Sequence, residues 1–166
     1  SGVPGTVAGL LQTHARYGKL PLKKILQPVI KQAQKGIQVS YDLNQAIGSA
    51  DQINLDSESK NIYYQNGDPV KEHLVMKRPD LAWTFREIAR NGEEAFYTGS
   101  IAKKIVQAMK QNGGYISAKD LKEYKPRFAE PIQTTYRNHK VLAHPPPAGG
   151  AAVLLEGLNI LENFST

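Results

Sequence analysis

The 166-residue sequence contains no cysteine, which excludes disulfides, thiolate nucleophiles and cysteine-based zinc sites. It has no apolar run approaching the roughly 20 residues that a membrane-crossing helix needs. Nor is there a dense basic tract interleaved with aromatics, although the net charge is +6. The lysines are scattered through stretches such as KKILQPVIKQAQK and AKKIVQAMKQNGG, the pattern of a solvated basic face and not of a nucleic-acid groove. The first residues, SGVPGTVAGL, hold no basic n-region, so no signal peptide is visible in this sequence, and the parent of an excised fragment could carry one upstream. Internal repeats, low-complexity segments, Walker loops, G-x-S-x-G elbows, dinucleotide fingerprints and HExxH spacing are all missing.

What is present is a helical pattern with firm punctuation. Hydrophobic residues make up 40% of the chain, which supports a packed core. After the SGVPGT turn, Thr6 is the expected N-cap of a helix that stops at Gly18. A second helix is expected from Pro21, with Leu22, Ile25, Leu26, Val29, Ile30 and Ala33 as its apolar stripe and Pro28 kinking or restarting it. Gly36 closes that helix, and a short extended piece and a short helix follow. Residues 51–79 read as irregular, with Asn66-Gly67-Asp68-Pro69 as a turn between short extended pieces. A helix then starts at Pro79 and ends before Gly92. It is followed by a helix over EEAFYTG, by one with Ser100 as N-cap, and by one with Ser117 as N-cap. The pair Gly113-Gly114 reads as a helix stop. Two strands meet across Arg137-Asn138, and a proline-glycine turn leads into a final helix bearing Leu154, Leu155, Leu158 and Leu161.

Few residues invite a chemical reading. His14, His73, His139 and His144 lack partners at metal-ligand spacing and read as ordinary histidines. Asp120 and Glu123 lie three residues apart on one helical face and read as solvated acids. Ser1 raises the thought of an N-terminal nucleophile served by its own amine. In PPPAGG, residues 145–150, the prolines cannot join a ladder or a helix interior. Gly149 or Gly150 is expected to hold a backbone conformation costly for other residues.

Several ordered segments resemble the large chain of γ-glutamyltransferases. GVPGTVAGLLQTHARYGKLPLKKILQPVIKQAQKGIQVSYDL is similar to that family's GVPG start, tyrosine-glycine helix stop and leucine-proline helix. AFYTGSIAKKIVQAMKQNGGYISAKDLKEY resembles its FYxG, IAxxIV, NGG and DLxxY elements, and PPPAGGAAVLLEGLNILENF its PPPSSGG turn and LNILE helix. One departure is the run Ala148, Gly149, Gly150 and Ala151, which replaces two serines and two glycines, so the turn reads as architecture.

The resemblance implies an α+β chain: a helix-rich fragment of the four-layer αββα N-terminal-nucleophile hydrolase fold, ending in a strand pair and a helix. Residues 1–166 read as a single partial domain, the middle-to-late part of the large chain. It implies a parent that transfers the γ-glutamyl group of glutathione through an N-terminal threonine. That threonine opens the small chain downstream, and the arginine that grips the substrate α-carboxylate lies upstream. Neither Ser1 nor Thr166 takes the nucleophile's role, so no catalytic, substrate-binding or metal residue is assigned and the fragment itself is expected to be inactive. The implied partners are the rest of the large chain and the small chain of the same precursor, with no cofactor, metal, nucleic acid or membrane span. A periplasmic or extracellular parent is implied. The rival readings are a cephalosporin-type acylase, a capsule-polyglutamate transferase, or a non-catalytic helical interaction domain.

Overall fold

The computed structural model describes residues 2–50 and 57–164. They gather into two compact units that divide between Lys125 and Pro126.

The first unit is helical. α1 (Thr6–Tyr17) and α2 (Leu22–Lys35) are followed by a two-residue strand β1 (Ile37–Gln38) and by α3 (Tyr41–Ser49). Pro28 does not restart α2, which runs as one helix to Lys35. Gly36 closes it at φ 94°, where an added Cβ would come within 2.9 Å of the Met76 carbonyl oxygen. Glycine is therefore required twice over, by backbone angle and by space. Ser40 caps α3 by accepting the Leu43 N–H.

Within 57–79 the irregular reading is corrected in one respect, because residues 57–63 form a helix, α4 (Ser57–Tyr63). SESKNIY carries neither an N-cap signal that the surrounding polar run makes visible nor a full apolar stripe, and at under two turns its periodicity is too short to read. The predicted turn is present: β2 (Tyr64–Gln65) pairs antiparallel with β3 (Asp68–Pro69). Asn66 and Gly67 both hold positive φ, as a tight type I′ hairpin requires. β4 (Val75–Met76) returns to pair with β1, and the Arg78 N–H donates to the Ala33 carbonyl at 2.8 Å.

α5 (Pro79–Tyr97) packs along α2 and is broken at Gly92, whose φ of 57° and ψ of −136° separate two helical stretches. This matches the expected stop. α6 (Ser100–Gln111) and α7 (Ala118–Glu123) complete the unit. Gly113 at φ 68° and the bond from Gly114 N–H to the Met109 carbonyl end α6, as the glycine pair predicts. One core cluster joins Ala8, Tyr97, Ala102 and Leu121, and a second joins Ile88, Ala95 and Ile101.

The second unit is a hairpin with one helix. β5 (Ile132–Tyr136) and β6 (His139–Ala143) pair antiparallel with Thr134 opposite Val141. Arg137 and Asn138, both at positive φ, make the two-residue turn. α8 (Gly149–Leu161) packs on β5, where the Thr134 hydroxyl donates to Asn159 Oδ1 at 2.6 Å. The Pro146–Pro147 bond before it is cis. Gly149 and Gly150 correct an expectation: neither holds a positive φ, and a Cβ on either meets nothing within 4 Å. Both lie in the first turn of α8, where the chain is already right-handed helix.

Candidate functional site

The structure builds positioning devices around the ends of α1 and α5. The α1 N-cap is Gly5, not Thr6, and no side chain caps it. Thr6 is the first helical residue, one position past the place from which a side chain reaches forward to the unpaired N–H groups of the first turn. The cap comes from 89 residues away: the Ala8 N–H donates to the Tyr97 hydroxyl at 3.1 Å. That hydroxyl in turn donates to the Pro4 carbonyl at 2.6 Å. Tyr97 stacks on Tyr124 with centroids 5.6 Å apart, and a Cβ at Gly5 would run into the Tyr124 ring. The GVPG segment is thus held by two tyrosines, one from FYTG and one from DLKEY. Burial raises the Tyr97 phenol pKa, with the Ala8 hydrogen bond partly opposing it.

A second device sits at the start of α5. Arg78 donates to both oxygens of Asp80, at 3.1 and 2.9 Å, and to the Tyr63 hydroxyl at 3.1 Å. The Arg78 hydrogen bond holds the Asp80 carboxyl below the usual carboxylate range against the cost of desolvation. The same pair raises the Arg78 guanidinium. Asp80 also lies in the first turn of α5, where a negative charge suits the helix dipole.

Ser100 is corrected too. Gly99 is the α6 N-cap, because its own N–H and that of Thr98 fold back onto the Glu94 carbonyl. The Ser100 hydroxyl instead donates to Glu87 Oε2 at 2.7 Å. Ser117 caps α7 as expected, in a full capping box with Asp120. Asp120 is exposed, and the Ser117 hydroxyl and N–H lower its carboxyl pKa. Glu123 faces Lys119 at 3.9 Å. The two acids therefore serve a cap and a surface pair.

The histidines stay apart. His14 Nε2 lies 2.8 Å from the Leu20 carbonyl, His73 sits 3.4 Å from Glu72, and His144 Nδ1 lies 2.9 Å from the Pro145 carbonyl. His139 opens β6. Among the described residues no three metal-ligating side chains cluster, and none of these histidine contacts is with a side-chain hydroxyl. Ser1 and Thr166 lie outside the described residues.

The gamma-glutamyltranspeptidase family model matches residues 1–166. The chain belongs to the γ-glutamyltranspeptidase family. It is 39% identical over 166 residues to a glutathione hydrolase proenzyme of Escherichia coli strain K12, covering 99% of this chain and 29% of that protein. The solved γ-glutamyltranspeptidase of Helicobacter pylori superposes with a TM-score of 0.95 at 33% identity, covering 99% of this chain and 48% of that one. A cephalosporin acylase from Bacillus halodurans reaches 0.91 at 32% identity, covering 99% and 32%. The chain therefore spans under a third of the E. coli relative and about half of the H. pylori chain.

The γ-glutamyltranspeptidases are enzymes, and this chain is a helix-rich α+β segment of their N-terminal-nucleophile hydrolase fold. Sequence reasoning missed the roles of Tyr97 and Arg78. The signals were the FYTG tyrosine and the RPD sequence that opens α5. Neither reveals its partner, because Tyr97 lies 89 residues from Ala8 and Arg78 lies 15 from Tyr63.

Proposed function

We propose that this chain is part of the large chain of a γ-glutamyltransferase that moves the γ-glutamyl group of glutathione, or a related amide, to an amino acid, a peptide or water. The observation that carries this reading is the family match along residues 1–166. In this reading a threonine opening the small chain downstream attacks the γ-carbonyl and forms an acyl-enzyme, with backbone amides holding the oxyanion. The partners are the rest of the large chain and the small chain of the same precursor. The parent works outside the cytosol, in the periplasm or beyond. The residues described here supply support, by fixing the GVPG segment and the start of α5, and need no metal or organic cofactor.

A second reading, a cephalosporin-type acylase, is favoured by the TM-score of 0.91 to the Bacillus acylase. One experiment separates the two. The precursor with its flanking segments, and residues 1–166 alone, are each incubated with a chromogenic γ-glutamyl anilide. Amine release by the processed precursor alone is the expected result. A precursor that ignores the anilide but cleaves a cephalosporin side chain supports the acylase. Turnover by residues 1–166 that disappears in Ser1→Ala overturns the reading of this chain as scaffold.

A further inference from the structure

A cleft of about 650 Å³ lies along α6 and α7 at the C-terminal end of α5, a volume in the range of small-molecule sites. Its apolar lining comes from Tyr97, Ala102, Val106 and Ala118. The first two are buried core residues, and the Tyr97 hydroxyl is already committed to Pro4 and Ala8. Three lysines also line it: Lys103 and Lys110 from α6, and Lys122 from α7. Lys103 and Lys110 are two helical turns apart, so they share one side of α6 at about 10 Å spacing.

Among the described residues none that lines the cleft is acidic, and none of the three lysines forms an ion pair. Elsewhere in this unit Arg78 pairs with Asp80, Lys119 with Glu123, and Lys104 lies over the Trp83 ring. Three like charges around an apolar hollow repel one another. An anion relieves that repulsion, and an attached hydrocarbon covers the apolar surface that remains exposed at half-buried Val106 and beside it.

We propose that this cleft binds a small amphipathic carboxylate, with its acyl or aryl body on Tyr97, Ala102 and Val106 and its carboxylate among the three ammonium groups. The site is independent of the γ-glutamyl chemistry proposed above. In sequence these lysines read as part of a solvated face, and folding is what gathers them.

Calorimetric titration of the intact protein with octanoate tests the proposal, with acetate and neutral octanol as controls. Saturable octanoate binding is expected, with both controls weaker. It should fall at least about tenfold in the K103Q/K110Q/K122Q variant and by a smaller factor in K110Q alone. The thermal midpoint and the γ-glutamyl anilide turnover of both variants should stay those of the parent protein. Octanoate binding that is absent, that persists unchanged in the triple variant, or that octanol matches overturns the proposal.

Discussion

At the scale of single residues, the most informative atom is the Tyr97 hydroxyl, which replaces a local cap with a long-range one. Tyr97→Phe keeps the ring and its stacking but leaves the buried Ala8 N–H without an acceptor. A loss of about 1–3 kcal/mol is expected, measured as a shift in the urea midpoint with little change in slope. Asp80 tests electrostatics. Its pKa is depressed in the fold by Arg78, so its contribution is complete at neutral pH and fades as pH falls through the folded value, below about pH 4. Midpoints of the parent and Asp80→Asn should therefore differ at pH 7 and converge in acid. A gap that stays constant down to pH 2.5 would show that Asp80 acts through packing or helix geometry alone.

At the scale of elements, glycines that look alike in sequence do different things. Gly36 combines a positive φ with contact against β4, so Gly36→Ala should cost about 1–3 kcal/mol. Gly150 is an open, right-handed position in α8. Gly150→Ala should stabilise the chain by up to about 1 kcal/mol, and thermal melts of the two variants should move in opposite directions. This contrast shows where the sequence was legible. Stops such as Gly18, Gly92 and Gly113-Gly114, the hairpin at Arg137-Asn138 and the cap at Ser117 depend on local backbone chemistry, and the structure has all of them. Thr6 and Ser100 were misplaced by one position because glycines ahead of them took the cap. The Tyr97 and Arg78 devices were out of reach, since each depends on which distant helix arrives beside it.

At the scale of the whole chain, the connection between the two units carries its own expectation. Residues 124–131 hold no regular structure, and Arg127 within them is exposed. Trypsin should cut first after Arg127, while the bond after Lys125 resists because Pro126 follows. Mass spectrometry of early digests should find two pieces meeting there. An earliest cut inside α5 or α6 would mean that the helical unit opens before the connection does.

The hairpin-and-helix unit has a consequence in time. A lone two-stranded ribbon is marginal in water, and both outer edges of β5 and β6 lack a strand partner among the described residues. Beside it, α8 presents Val153, Leu154, Ile160 and Leu161 to solvent, Val153 at 71% exposure. A ribosome delivers chain at roughly 5–20 residues per second. In the precursor proposed above, this ribbon stands with open edges until downstream segments emerge, and another nascent copy can meanwhile supply a strand. Yield of the full precursor should then depend on how crowded its own synthesis is, with slow, dilute expression favouring the correct pairing over the intermolecular one.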